Sequence, residues 1–317
     1  MKNFTDKIFN GDCLKVLPKL PKNCVDLIVT SPPYAQKRKK SYDGIAESQY
    51  VEWFLPIAQE LKRVLKDDGS FVLNIKEPAV NSERSTFVIE LILEMKKQGW
   101  LWTEEYIWHK RNSFPGKWPN RFRDAWERCL HFTKNKKFKM NQDDVMVPMG
   151  DWAQTRFNSL SDEDKTRHNS ASKSGFGRKV ENWIDRKKAY PTNVLEFATV
   201  CYNKGHSAAF PEELPEWFIK LFSDPGDLVL DPFIGSGTTA IVANRLQRHY
   251  LGIEKQKKYY DLTKIYLEIE NISSKKMKKQ IMDIIKEASR TEDWKKSILE
   301  YKKLMTRKNS TMEHFNK

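Results

Sequence analysis

The stretch from Leu228 to Glu254 restricts the fold more than any other part of the chain. Leu228 to Leu230 is a short apolar run that reads as a buried strand, and a loop with two glycines, Gly235 and Gly237, follows it. Thr238 to about Leu246 has helical spacing, and Tyr250 to Glu254 is a further strand. Strand, tight loop, helix and strand in so short a span close as a β-loop-α-β unit. Val25 to Thr30 (VDLIVT) is another apolar, β-branched run, stopped abruptly by Ser31-Pro32-Pro33. Tyr50 to Leu65, Phe87 to Gln98 and Pro215 to Phe222 carry helical patterns. Ser70 to Ile75 and Leu101 to His109 read as strands, and Trp126 to Thr133 as a strand able to pair beside the latter. The expected architecture is α/β, a mostly parallel doubly wound sheet.

Between these halves the pattern weakens. From Lys134 to about Ala189 the chain is polar, with basic residues, Ser, Asn and Gly, including Ser170 to Lys179 (SASKSGFGRK), and a separate loop-rich recognition segment is expected there. Beyond Tyr259 the sequence is mostly helical and lysine-rich, with Ile281, Ile284 and Ile285 marking one packed face. A solvated helical appendage is the favoured reading of that part over a dedicated DNA-binding element, and Arg307 to Lys317 is expected to be poorly ordered.

Lys and Arg number 56 against 42 Asp and Glu, a net charge of +14, so a polyanion is the natural partner to consider. Cys13, Cys24, Cys129 and Cys201 are scattered, without the close pairs of metal sites or disulfide frameworks. No metal is expected, and a reducing, cytoplasmic setting fits. Met1 to Asn10 lacks an apolar run behind a basic head, and no stretch is long enough to span a bilayer.

The chemistry-bearing residues fall in three places. Asp231-Pro232-Phe233-Ile234-Gly235-Ser236-Gly237-Thr238-Thr239 follows a strand and opens a helix, which lets backbone approach a small ligand closely. No Lys follows the glycines as a phosphate-binding P-loop requires, and no third glycine stands at dinucleotide spacing, so ATP and NAD are disfavoured. Glu254 ends the next strand, near the spacing at which a carboxylate accepts from ribose hydroxyls. Asp12, in Asn10-Gly11-Asp12-Cys13, suits either an acceptor for an adenine amino group or a turn-forming residue. Val29-Thr30-Ser31-Pro32-Pro33-Tyr34 is the third. Its prolines fix the backbone and remove amide donors, leaving carbonyl acceptors beside a hydroxyl. Such a corner suits an amino-group substrate, because accepting hydrogen bonds from the protons favours a pyramidal nitrogen able to attack. Tyr34 would stack on the base.

Together VTSPPY, DPFIGSGTT and Glu254 resemble the amino-methyltransferases of DNA, the N4-cytosine and N6-adenine enzymes. The similarity covers most of residues 8 to 262. It implies an S-adenosylmethionine-dependent methyltransferase (Rossmann-like) fold, with Ser31, Pro32, Pro33 and Tyr34 as the catalytic motif. Asp231, Phe233, Gly235, Ser236, Gly237 and Thr238 match the methionine-side cofactor loop, and Glu254 the ribose acceptor. His206 to Phe222 looks like the helix preceding that loop, whose His206 and Phe210 would line the cofactor pocket. The order, catalytic motif first and cofactor loop far downstream, is similar to the permuted beta class. It implies a catalytic domain over 1–133 and 191–262, a target-recognition region over 134–190 and a helical C-terminal extension over 263–317. Trp108 to Trp118 (WHKRNSFPGKW) is either a cover for the target base or core packing.

The resemblance also implies the base. Cytosine enzymes begin this motif with Ser and adenine enzymes usually with Asp or Asn, so Ser31 favours N4 of cytosine, flipped out of duplex DNA. Methylation at carbon 5 needs a cysteine nucleophile, typically after Pro, and no cysteine here follows a proline. Zinc-dependent deamination lacks its PCxxC and HxE. N6-adenine methylation, RNA or protein methylation, and a catalytically inactive DNA-binding role remain as alternatives. The resemblance to restriction-modification methyltransferases makes a cognate restriction endonuclease a candidate partner and a homodimer a candidate assembly.

Overall fold

The computed structural model describes residues 4–35, 45–80, 82–113, 116, 119–150, 155, 159, 161, 188–200, 210–291, 298–301 and 303. Ser170 to Lys179, Cys201, His206, Trp118 and Arg307 to Lys317 lie outside the described residues. These divide into two compact units, one of Met1–Met140 with Asn193–Lys317 and one of Asn141–Thr192.

The first unit is built on a sheet of eight strands. In chain order they are β1 (Lys7–Asn10), β2 (Val25–Thr30), β3 (Leu65–Ile75), β6 (Leu101–Lys110), β7 (Trp126–Thr133), β10 (Val194–Phe197), β11 (Leu228–Asp231) and β12 (His249–Glu254). Two-residue strands β4 (Ala79–Val80) and β5 (Glu83–Arg84) form a small hairpin after β3. The spatial order is β1-β12-β11-β2-β3-β7-β6-β10. All neighbours run parallel except β7, which is antiparallel to both β3 and β6.

Each strand expected from sequence is present, with β3 beginning earlier, at Leu65 rather than Ser70. Gly69 sits inside it because a side chain there would meet Asp26 O at 2.7 Å. β2 and β11 are buried along their whole length, as expected of central parallel strands flanked on both sides. β1, β10 and the four-residue helix α1 (Cys13–Val16) are elements that the sequence reading did not include.

Helix α2 (Tyr50–Val64) buries Tyr50, Phe54, Ile57, Ala58, Leu61 and Val64, the one-face spacing of an amphipathic helix. Helix α3 (Phe87–Lys97) likewise buries Phe87, Val88, Leu91, Ile92 and Met95. α4 (Glu213–Phe222) begins two residues before the start read from the helical pattern; Phe210 to Glu212, placed in the same helix by the resemblance, precede it as non-helical chain, and α4 packs beside β2, β3 and α5 (Thr238–Arg245). α6 (Lys257–Glu270) runs unbroken and buries Tyr259, Leu262, Ile265, Tyr266 and Ile269. α7 (Lys275–Thr291) adds Ile281 and Ile285 to the same apolar cluster, two of the three positions expected from sequence, while Ile284 is half-buried. Trp108 is buried in β6, and its indole N–H donates to Phe197 O at 3.0 Å, so this tryptophan joins strands.

The second unit contains a 3₁₀ turn at Gln142–Val145 and an antiparallel pair, β8 (Val147–Pro148) with β9 (Lys188–Ala189). Tyr190 donates to Asp143 within it at 3.1 Å. No helix of the described residues is long and apolar enough to cross a membrane.

Candidate active site

Strands β1, β12, β11, β2 and β3 point the same way, so their carboxyl ends meet along one edge. The chain moves outward in opposite directions from β2 and from β11, so the strand order reverses between them. Open α/β sheets bind ligands in the crevice at such a reversal. The Ser31–Tyr34 segment leaves β2 and the glycine loop leaves β11, so both sequence motifs open on this crevice. One hydrogen bond ties them: Thr30 Oγ1 donates to Asp231 Oδ1 at 2.6 Å, with both residues buried.

Asp231 is the organiser of its loop. Besides Thr30, it accepts from Phe233 N at 3.0 Å and from Thr239 Oγ1 at 2.7 Å, the latter on the first turn of α5. Burial raises its carboxyl to about 6, against the lowering effect of those three donors. Gly235 and Gly237 have φ of +55° and +92°, the left-handed region that glycine occupies without strain. A side chain at Gly237 would also meet Thr263 Cγ2 of α6 at 2.7 Å. Thr263 Oγ1 donates to Gly235 O at 2.8 Å, so α6 holds the loop from behind. Ser236 is buried and Thr238, the first residue of α5, is half-buried. The Phe233 ring lies against Trp53, centroids 5.8 Å apart.

Glu254, at the end of β12, is buried and reaches under the same loop. Its Oε2 accepts from Gly235 N at 2.9 Å and its Oε1 from Gln256 N at 2.8 Å. Burial raises this carboxyl to about 7 even with both amides, and nearby Asp231 adds to the rise. A carboxylate has about four lone-pair directions, so two acceptor positions are left. Asp12 follows β1, the neighbour of β12; Gly11 N donates to Glu254 O at 2.9 Å, so the two acidic residues share a corner. Asp12 caps α1 through Leu14 N at 2.9 Å, the turn-forming role weighed for it, and its side chain is 38% exposed. Phe210 is buried ahead of α4.

At the β2 end, Pro32 is buried while Ser31, Pro33 and Tyr34 are half-buried. The Tyr34 hydroxyl donates to Glu127 Oε2 at 2.6 Å and approaches Asn74 Oδ1 at 3.3 Å; Ser31 Oγ lies 3.5 Å from that hydroxyl. Burial and the Glu127 carboxylate push the phenol well above its ordinary value, so it stays protonated and keeps donating. Asn74 and Glu127 are site residues that the sequence reading missed. A signal existed in each: an amide inside the apolar run Ser70 to Ile75, and an acid within the strand Trp126 to Thr133. Thr30 was hidden because its role depends on a partner 201 positions away. The expected His206 lies outside the described residues, among which no group of His, Cys, Asp and Glu could hold a metal ion.

The site therefore sets a buried acidic corner and a left-handed glycine loop beside an acceptor-rich corner floored by prolines. The chain that carries this site is similar in sequence and fold to known proteins. The family profile described as DNA methylase matches residues 25–265. The type II methyltransferase M.PvuII of Proteus hauseri is 30% identical over 292 residues, covering 85% of this chain and 86% of that protein. A solved structure of the PvuII DNA methyltransferase, described as cytosine-N4-specific, superposes with a TM-score of 0.64 at 26% identity, covering 89% of this chain and 92% of that one. A Thermus thermophilus protein solved with S-adenosyl-L-methionine shares the fold, with a TM-score of 0.56 at 24% identity over 84% of this chain and 95% of that one.

Proposed function

We propose that this chain, which belongs to the DNA methylase family, transfers a methyl group from S-adenosylmethionine to the exocyclic N4 amino group of cytosine in duplex DNA. The observation that carries this reading is the hydrogen bond from Thr30 to Asp231, which fixes an acceptor-rich corner and a glycine loop side by side at the strand-order reversal.

The donor set fits the cofactor. Ribose hydroxyls donate, and Glu254 has lone pairs left to accept from them. The loop from Asp231 to Thr238 offers backbone at close range, and Asp12 stands beside Glu254 with an accessible carboxylate. His206 and Phe210 complete the pocket by resemblance. When bound, the cofactor supplies a methyl carbon on a sulfonium, whose transfer leaves a neutral thioether.

The protein's own work is to make a poor nucleophile attack. The cytosine N4 lone pair is delocalised into the ring. Ser31 Oγ and the Pro32 carbonyl accept hydrogen bonds from its two protons, which favours a pyramidal nitrogen and stabilises the positive charge that develops on it as the carbon–nitrogen bond forms; one of the two protons then leaves to water, giving the neutral methylated amine. Stacking on Tyr34 offsets the few kcal/mol, roughly, that swinging the base from the duplex costs. Ser31, where adenine enzymes of the family usually carry Asp or Asn, supports cytosine, as does the likeness to a cytosine-N4-specific enzyme. The segment 134–190 is assigned to target recognition, where each bidentate contact adds about 1 to 3 kcal/mol of discrimination. Likeness to type II methyltransferases supports a companion restriction endonuclease.

Sequencing the DNA of cells that express the chain, by a method that reads modified bases directly, tests this proposal. N4-methylcytosine in one fixed sequence context is the expected result, and unmodified DNA from cells with folded protein is the opposing one.

A further inference from the structure

The hydrogen bonds behind Ser31 run in one direction only. Lys110 Nζ sits 2.5 Å from Glu127 Oε1, so Glu127 is a carboxylate, and carboxylates accept without donating. The side chain of Glu127 is 10% exposed, which leaves little water to compete. Asn74 Nδ2 donates to Glu127 Oε2 at 3.2 Å and to Arg128 O at 3.1 Å, which turns Asn74 Oδ1 toward Tyr34 as a second acceptor. Facing two acceptors, the Tyr34 hydroxyl gives its one proton to that side, and its lone pairs are left for Ser31. Ser31 Oγ then donates to Tyr34, and its own lone pairs point elsewhere.

We propose that Glu127 is a positioning residue that acts through Tyr34 to present Ser31 as an acceptor to the target amino group. An unconstrained serine hydroxyl donates or accepts equally well, so it does not separate an amino base from an oxo base. A serine whose proton is committed to Tyr34 meets an amino group with lone pairs and an oxo group with repulsion. The device thus sets selectivity for bases with an exocyclic amine. It rests on the reading of Ser31 as the acceptor for the amino protons.

The test compares equilibrium binding of two duplexes that carry the methylated site, one with cytosine and one with uracil at the target position, together with single-turnover methylation of the first. If the product is N6-methyladenine, adenine and hypoxanthine form the equivalent pair. Glu127→Gln, whose amide both donates and accepts, is expected to shrink the cytosine preference about tenfold, one charged hydrogen bond's worth. Tyr34→Phe keeps the ring and removes only the hydroxyl, and is expected to shrink it equally. The double variant is expected to lose no more than Tyr34→Phe alone. Additive losses, or an unchanged base preference in folded Glu127→Gln or Tyr34→Phe, overturn the proposal. A merely structural Glu127 lowers stability and leaves the preference intact. Ser31→Ala separates the two readings: if it keeps full turnover, the acceptor role of Ser31 fails, whereas loss of turnover with an unaffected Tyr34→Phe sinks only the Glu127 relay.

Discussion

Thr30 Oγ1 and Asp231 Oδ1, 201 residues apart in sequence, lie 2.6 Å apart in the buried floor of the site. The bond sets the distance between the segment proposed to hold the amino group and the loop proposed to hold the methyl donor. Thr30→Val keeps the shape but leaves Asp231 with one donor fewer. A buried hydrogen bond to a charged group contributes about 1.5 to 3 kcal/mol. The variant is expected to lose that much in denaturant unfolding and to lose cofactor affinity and turnover together. Unchanged stability with full activity would show that the link is incidental.

Glu254 supplies a pH dependence. Its carboxyl is raised to about 7 by burial, and hydroxyl donors from a ribose stabilise the ionised form. With Glu254 as the proposed ribose acceptor, binding is expected to release a proton near neutrality, so that cofactor affinity rises as pH increases through about 7. Calorimetry in buffers of different ionisation heat measures this directly. Glu254→Gln is expected to bind weakly with no proton release, and proton release unaffected by the substitution would contradict the assignment.

Tyr34→Ala separates base handling from cofactor handling. Loss of a stacking partner costs about 1 to 3 kcal/mol, or roughly five- to 150-fold in turnover. Cofactor affinity is expected to stay within twofold, since the ring stands at the other corner of the site. Normal turnover would remove the stacking role.

His131 is expected to contribute to the loss of stability in acid. It is buried, stacked on Phe222 with centroids 4.4 Å apart, with Nε2 3.0 Å from Ser70 Oγ, and burial lowers its imidazole to about 3. The unfolded chain binds this proton near pH 6.5 and the folded one only near 3, so this contribution is fully present above 6.5 and is lost as pH falls toward 3. Between about pH 7.5 and 5 the loss is about 2 kcal/mol from this residue. Urea midpoints across that range check it: His131→Gln, less stable at neutral pH, is expected to show a shallower decline, and an equal decline would exclude the role.

Much of this was legible in the sequence, and the reasons differ by element. β2, β11, α5 and β12 were readable because local apolar pattern and glycine punctuation agree with their final state. β1 and β10 were not. Four residues such as Lys7–Asn10, exposed at both ends, become a strand only through pairing with Leu251 to Glu254. In the site, Ser31 to Tyr34 and the glycine loop announce themselves by composition. Asn74, Glu127 and Thr30 owe their roles to register, since the antiparallel pairing of β3 with β7 carries Glu127 to Tyr34. Asn74 and Glu127 stand out as polar residues within their strands, but the pairing that gives them a partner is not written in the local sequence.

Methylation of the N4 amino group of cytosine in DNA is tested most directly by incubating the purified protein with unmethylated duplex DNA and isotopically labelled S-adenosylmethionine, then digesting to nucleosides for mass spectrometry. Label in N4-methylcytosine is the predicted result. Label in N6-methyladenine would overturn the assignment drawn from Ser31, and unlabelled DNA from protein that binds the cofactor would contradict DNA methylation itself.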